Sequence, residues 1–227
     1  MAGALLFCCS VNVNAQPLRQ TPADAKAMAG RQGRPNVIFI LADDLGWRDT
    51  AVYGSTFYET PHIDALAQSG MRFTDAYSAN PLCSPTRASI LTGQYPVRYG
   101  LTDATGHEKK VQEHVERTEV SEEIRGAGPL GRNYLDSNVY TMGKAMKDAG
   151  YATGFFGKWH MGARMEHWPE SHGFEHVKGG RSHGVPPGKN GRRKYFAPFN
   201  CDTLPSDVPE DTHVDDLIAD LAIDYMK

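Results

Sequence analysis

Cys83 and Arg87 are the residues whose types and spacing most clearly suggest chemistry, in the run Cys-Ser-Pro-Thr-Arg. Pro85 suits a first helical position because it has no N–H to leave unpaired, and Gly93 suits the residue that ends a helix. We therefore expect Cys83 just before a helix, where unpaired backbone N–H groups attract an anion. Arg87, one turn on, offers a planar set of donors to an oxyanion. A buried, unreactive cysteine beside a surface arginine is the alternative.

Asp43 and Asp44 directly follow an unbroken apolar run, residues 36–41. A run without alternation fits a central parallel strand that is covered on both faces, and open α/β sheets place their sites beyond the carboxyl ends of such strands. Two adjacent carboxylates repel each other unless a cation lies between them, and a hard divalent cation is the natural candidate. A turn with two solvated carboxylates explains the pair equally well.

Lys158 and His160 follow a further apolar segment, residues 151–156, which we expect to be a strand. Because the carboxyl ends of parallel strands share one edge of a sheet, both residues are expected near Cys83. Lysine offers a point charge to an oxyanion, and histidine donates or accepts a proton near neutral pH. Taken singly, a lysine and a histidine in a loop are more often solvated.

A basic, loop-rich stretch between residues 165 and 201 contains two candidates for substrate binding, Arg181 and His183. A local excess of positive charge can hold an anionic substrate. A solvated surface loop fits the same residues.

The elements that must position these residues alternate between strands and helices. Strands are expected at 36–41, 71–77 and 151–156, and helices at 61–69, 85–92, 137–149 and 214–227. This alternation predicts an α/β domain. Residues 102–136 are rich in charge and are expected to form a long surface loop.

The overall composition limits the class of partner. The 227 residues are 40% apolar and 22% charged, as in one globular domain or a large part of one, and the net charge of −3 favours neither nucleic acid nor an anionic membrane. Residues 1–15 contain an apolar run that resembles a signal peptide and is too short to span a bilayer. We therefore expect no transmembrane segment, export to the periplasm or the exterior, and a linker at 16–35. A misplaced start codon is the alternative, since no Lys or Arg precedes the run.

Together these motifs resemble the type I, formylglycine-dependent sulfatases. The resemblance covers residues 35 to about 227 in family order. It is carried by residues 35–46, Cys83 to Arg87 with the Leu-Thr-Gly at 91–93, residues 150–153, and residues 157–162. It implies an alkaline-phosphatase-like α/β fold, a mixed and mostly parallel sheet flanked by helices. Residues 36–227 would then be the N-terminal portion of a catalytic domain that is incomplete at its C-terminus.

The resemblance also implies a reaction, the hydrolysis of a sulfated small molecule or a sulfated polysaccharide. A formylglycine-generating maturation enzyme would oxidise Cys83, and the hydrated aldehyde would attack the ester sulfur. Arg87 and Lys158 would stabilise the charges of the nucleophile and the sulfate, and His160 would hydrogen-bond the hydrated aldehyde. A sulfated enzyme intermediate would then expel sulfate and restore the aldehyde.

Calcium is the metal that the resemblance implies, with Asp43, Asp44 and the modified Cys83 among its ligands. Hard oxygen ligands agree with this choice. Family members continue beyond the equivalent of Lys227 and supply further metal ligands, a histidine and a lysine, and none of those motifs occurs in this sequence. We therefore expect a truncated chain that is inactive alone.

Two other functions stay open. One is a phosphatase or phosphodiesterase of the same superfamily, which would use unmodified Cys83 or a metal-bound nucleophile, although the Cys-x-Pro-x-Arg context argues against it. The other is a non-catalytic binding fragment that keeps half of a site.

Overall fold

The computed structural model describes residues 34–105, 132–181 and 195–227, with the backbone of residues 7–11. The chain divides into two units, Met1–Ser78 and Ala79–Lys227. The described residues form the strands β1 (Phe7–Val11), β2 (Asn36–Ile40), β3 (Gly154–Phe156) and β4 (His176–Lys178), and the helices α1 (Pro61–Ser69), α2 (Cys83–Thr92), α3 (Met142–Asp148) and α4 (Val214–Met226). None of these helices is long and apolar enough to cross a bilayer. Most of the expected linker at 16–35 and of the loop at 102–136 lies outside the described residues.

Strand β2 lies where the apolar run predicts a strand, but in a different environment. It pairs antiparallel with β1, from Phe7 opposite Ile40 to Val11 opposite Asn36. Val37 and Ile40 are 46% and 58% exposed. The expectation of a parallel strand covered on both faces is therefore wrong: the pairing is antiparallel, and Val37 and Ile40, which lie on opposite faces of the strand, are both exposed. β1 lies within residues 1–15, for which export stays a prediction.

Helix α1 begins at Pro61 and ends at Ser69, as expected. The Thr60 hydroxyl does not cap it and instead accepts a hydrogen bond from the N–H of Ala51 at 2.9 Å. The same hydroxyl donates to Asp64 at 3.2 Å, and Asp64 accepts the N–H of Val52 at 2.8 Å. The start of the helix is thus tied to the segment that follows Asp43 and Asp44.

Residues 71–77 do not form the expected strand. Arg72 donates from its guanidinium to the Val52 carbonyl at 2.5 Å, and the Tyr53 hydroxyl donates to the Phe73 carbonyl at 2.6 Å. The segment is therefore held by side-chain bonds rather than by a backbone ladder. Its side chains project into solvent, with Tyr77 86% exposed.

The second unit is built around the parallel pair β3 and β4, with Gly154 opposite His176. Beyond both strands the backbones meet: Gly157 donates its N–H to the Lys178 carbonyl at 2.8 Å. A Cβ on Gly179 would lie 2.6 Å from the Gly157 nitrogen, and Gly179 also has a φ of +121°. Only glycine combines this conformation with this close approach. The loop that carries Lys158 and His160 begins at Gly157, where the two backbones approach each other.

One apolar cluster joins α2 to that loop. Its buried members are Ala88, Leu91, Tyr99, Leu101, Leu135, Trp159 and Met161. Helix α3 packs here through Met142 but starts five residues later than expected, because Thr141 accepts the N–H of Lys144 and so caps the helix at that point. His172 also lies in this region with its ring 5.2 Å from that of Trp159. Burial lowers the pKa of His172 to about 4, so this side chain is neutral at pH 7.

Helix α4 has the partner surface that its apolar stripe predicts. Val214 and Leu217 are buried against Ala197, Phe199 and Leu204. Near the end of the helix, the Tyr225 ring stacks on His176 at 5.0 Å and lies 5.4 Å from Phe156. The helix therefore closes over β3 and β4.

Candidate active site

Cys83 and His160 are in contact. The Cys83 sulfur lies 3.3 Å from Nδ1 of His160, 77 residues further along the chain. Cys83 is half-buried and forms no disulfide, whereas His160 is only 2% exposed. The start of α2 and the loop after β3 thus meet, as the sequence predicts.

Cys83 is the first residue of α2 rather than the residue before it, and Pro85 is the third. Pro85 is still within the first turn, where its missing N–H costs no helical hydrogen bond. The preceding residue, Leu82, has no side-chain acceptor to cap the helix. The helix ends as expected at Gly93, whose φ is +66° and whose N–H donates to the Ser89 carbonyl at 2.8 Å.

Arg87 joins the same site from the next turn of α2. Its Nη1 donates to the backbone carbonyl of Lys158 at 2.6 Å. A charged donor on a half-buried carbonyl is a strong hydrogen bond and holds the loop against the helix. The four residues that the sequence selects as catalytic, Cys83, Arg87, Lys158 and His160, therefore lie together within the second unit.

The backbone of His160 adopts a left-handed conformation, with a φ of +60°. Non-glycine residues rarely do so, and such conformations concentrate at functional sites. The N–H of His160 donates to the Arg181 carbonyl at 2.9 Å, and its own carbonyl accepts the Thr105 hydroxyl at 2.8 Å. Sequence reasoning missed Thr105, because a lone threonine near a charged loop carries no motif.

Arg181 is anchored within the protein. Its guanidinium forms ion pairs with Glu170 and Asp202, both at 2.5 Å, and lies 4.2 Å above the centre of the Trp168 ring. The Arg181 carbonyl accepts the N–H of His160, so this anchor also steadies the active-site loop. A role of Arg181 in substrate binding stays a prediction. His183 lies outside the described residues.

Asp43 and Asp44 belong to the first unit and are exposed at the end of β2. Asp44 has a φ of +57°, and the turn that follows is closed by a hydrogen bond of 2.7 Å from the Gly46 N–H to the Asp49 carboxylate. Carboxylate oxygens are the donors that calcium prefers, so the donor type fits. Two carboxylates supply only part of a calcium shell, and the described residues contain no group of three or more His, Cys, Asp or Glu that could hold a metal.

Comparison with known proteins gives a consistent picture. The family model described as Sulfatase matches residues 35–227. The N-acetylgalactosamine-6-sulfatase of Rattus norvegicus is 38% identical over 169 residues, which are 74% of this chain and 30% of that protein. This chain therefore spans less than a third of the length of that relative.

Two solved structures show the same fold. The crystal structure of Ps i-CgsB is 28% identical, with a TM-score of 0.60 over 81% of this chain and 39% of that one. A second structure, Ps i-CgsB in complex with k-i-k-neocarrahexaose, is 25% identical, with a TM-score of 0.57 over the same shares of the two chains. The expected alkaline-phosphatase-like α/β fold is confirmed.

We expect Arg181→Gln to lower the free energy of unfolding by about 1–3 kcal/mol, because charged hydrogen bonds of a largely buried guanidinium are lost. Arg164→Gln is the matched control, since Arg164 pairs with Glu166 at 3.7 Å on the surface and such pairs contribute about 0–1 kcal/mol. Urea unfolding followed by circular dichroism measures both variants. Equal losses for the two variants would contradict the anchoring role of Arg181.

Proposed function

Because the chain belongs to the sulfatase family, we propose that the protein hydrolyses sulfate esters with residue 83 as its nucleophile. The observation that carries this proposal is the contact of 3.3 Å between Cys83 and His160 at the start of α2. In the proposed mature enzyme, a formylglycine-generating enzyme would have oxidised Cys83 to formylglycine, whose hydrated aldehyde would supply the hydroxyl that displaces the alcohol of the ester from sulfur; the second hydroxyl would then expel sulfate and restore the aldehyde. The short segment Cys83 to Arg87 is the proposed recognition signal for that maturation enzyme.

The side chains around residue 83 have distinct proposed roles. His160 Nδ1 is within reach of a proton at the side chain of residue 83, so this imidazole holds or accepts that proton. Arg87, one turn from residue 83, keeps the Lys158 backbone against α2 through its bond of 2.6 Å. The Lys158 ammonium and the Arg87 guanidinium are the proposed positive charges for the sulfate group. Burial of His160 limits the water that can compete with these contacts.

Asp43 and Asp44 are the proposed carboxylate ligands of a calcium ion. Calcium would supply positive charge that neutralises a sulfate group and orients it. The adjacency of the two exposed carboxylates directly after β2 supports this assignment, because neighbouring carboxylates repel each other unless a cation lies between them.

Sulfated carbohydrates are the proposed substrate class. The relative from rat is named for a sulfated amino sugar, and one of the two related structures contains k-i-k-neocarrahexaose. The signal-like residues 1–15 support export, and an exported enzyme meets sulfated polysaccharides outside the cytoplasm.

Replacing Cys83 by alanine should lower the rate of sulfate release by roughly a thousandfold or more, because the nucleophile is removed. Cys201→Ala is the matched control and should retain activity, since Cys201 lacks the Pro and Arg that follow Cys83. The measurement is sulfate release by the full-length protein, co-produced with a formylglycine-generating enzyme, from sulfated oligosaccharides and an aryl sulfate. Hydrolysis of the matching phosphate esters alone would instead identify a phosphatase.

Asp43→Asn and Asp44→Asn should each weaken calcium binding by about tenfold, since each removes one charged oxygen ligand. Isothermal titration of the full-length protein with calcium chloride measures this. Asp75→Asn is the control, because Asp75 is another exposed carboxylate of the first unit. An equal effect of all three substitutions, or none, would argue against a calcium site at Asp43 and Asp44.

A further inference from the structure

The conformation of His160 needs external support. For a non-glycine residue, a φ of +60° costs about 1–2 kcal/mol relative to a right-handed backbone conformation. A change of this backbone to an ordinary conformation would swing the Cβ and move Nδ1 away from the Cys83 sulfur. The contact between the two side chains therefore depends on whatever holds the His160 peptide groups.

Thr105 holds the carbonyl side of His160. Its hydroxyl donates to the His160 carbonyl at 2.8 Å, and Thr105 is only 4% exposed. Because His160 and Thr105 are both buried, losing this donor would leave a buried carbonyl unsatisfied, which costs more than the bond itself contributes. The hydroxyl of Thr105 thus opposes any rotation of that peptide group.

Thr105 is in turn fixed to the start of α2. Its backbone N–H donates to the Ser84 hydroxyl at 2.9 Å, and the two hydroxyl oxygens are 3.3 Å apart. Ser84 is fully buried and directly follows Cys83. Hydrogen bonds therefore run from Ser84 through Thr105 to the His160 backbone, beside the direct contact between Cys83 and the His160 ring. Two routes therefore connect the start of α2 to His160: the direct contact of Cys83 with the His160 ring, and the hydrogen bonds from Ser84 through Thr105 to the His160 backbone.

We infer that Thr105 is a positioning residue, which holds His160 in the strained conformation that places its imidazole on residue 83. Thr105 does not touch the reacting atoms and acts through the His160 backbone. Its importance for catalysis rests on the proposed function, whereas its effect on the Cys83 side chain is measurable in the unmodified protein. The expected effect of losing the hydroxyl is a weaker contact between Cys83 and His160.

The test compares the alkylation rates of Cys83 and Cys201 by iodoacetamide at pH 7, in protein made without a maturation enzyme and read by peptide mass spectrometry. The His160 imidazole lies within hydrogen-bond distance of the Cys83 sulfur and can accept its proton as the sulfur is alkylated, so His160→Ala should slow alkylation of Cys83. Thr105→Val should slow it by roughly tenfold, the equivalent of one lost hydrogen bond. Thr105→Ser keeps the hydroxyl and should retain the original rate, and Cys201 should be unaffected throughout.

Thr141→Val separates positioning from a general loss of stability. The Thr141 hydroxyl is equally buried and donates to the His172 carbonyl at 2.7 Å, away from His160. This variant should lose comparable stability and leave the Cys83 rate unchanged. The ¹⁵N resonance of His160 Nδ1 gives a second readout, which should move in Thr105→Val and not in Thr141→Val.

The outcomes distinguish this inference from the proposed function. If His160→Ala slows the alkylation of Cys83 and Thr105→Val does not, the role of Thr105 is overturned and the proposed function stands. If His160→Ala has no effect, the contact that carries both is overturned. Should Thr105→Val fail to fold, Ser84→Ala removes the acceptor of the Thr105 N–H and must slow Cys83 alkylation for the inference to hold.

Discussion

The burial of Trp159 is the constraint on which the candidate site depends. This side chain is fully buried in the cluster that joins α2 to the loop after β3, and its indole N–H donates to the His167 carbonyl at 2.7 Å. Removing such a side chain from a core typically costs about 3–5 kcal/mol. Because Lys158 and His160 flank Trp159 directly, its packing fixes both of them relative to α2. The active-site loop is thus positioned mainly by the hydrophobic core. Its polar residues do not have to offset the conformational entropy of ordering the loop by themselves.

Helix α2 contributes more than the reactive cysteine. Each of its first five residues has a separate contact. Three of them reach other parts of the site: Cys83 contacts the His160 ring, Ser84 accepts the Thr105 N–H, and Arg87 donates to the Lys158 carbonyl. The other two contacts are nearer in sequence: the Pro85 carbonyl accepts the Ser89 hydroxyl, and the Thr86 hydroxyl donates to the Asn80 carbonyl. The sequence that the proposed maturation enzyme would read is therefore also the sequence that fastens the folded site. A substitution within it can disturb modification, geometry or both, and these effects need separate measurements.

The sequence predicts the helices α1, α2 and α4 because these depend on local signals. It also predicts the meeting of Cys83 with His160, but from strands expected to share one sheet edge, and the strand expected before Cys83 does not form. Proline and glycine mark the ends of α1 and α2, and a short strand must precede Lys158. The strand expected at residues 71–77 is wrong because, within the described part of the chain, no strand pairs with it, and Arg72 is held by the Val52 carbonyl instead. Thr105 could not be found from the sequence, since its importance comes from a hydrogen bond across 55 residues. Local patterns therefore identify the reactive residues, and long-range packing decides what holds them.

The most direct measurement of the central claim is the chemical state of residue 83 in the mature protein. Peptide mass spectrometry after co-production with a formylglycine-generating enzyme should find an aldehyde at residue 83 and an unmodified thiol at Cys201, which lacks the Pro and Arg of the Cys-x-Pro-x-Arg run. A thiol that persists at residue 83, in a protein that still hydrolyses sulfate esters, would contradict the account.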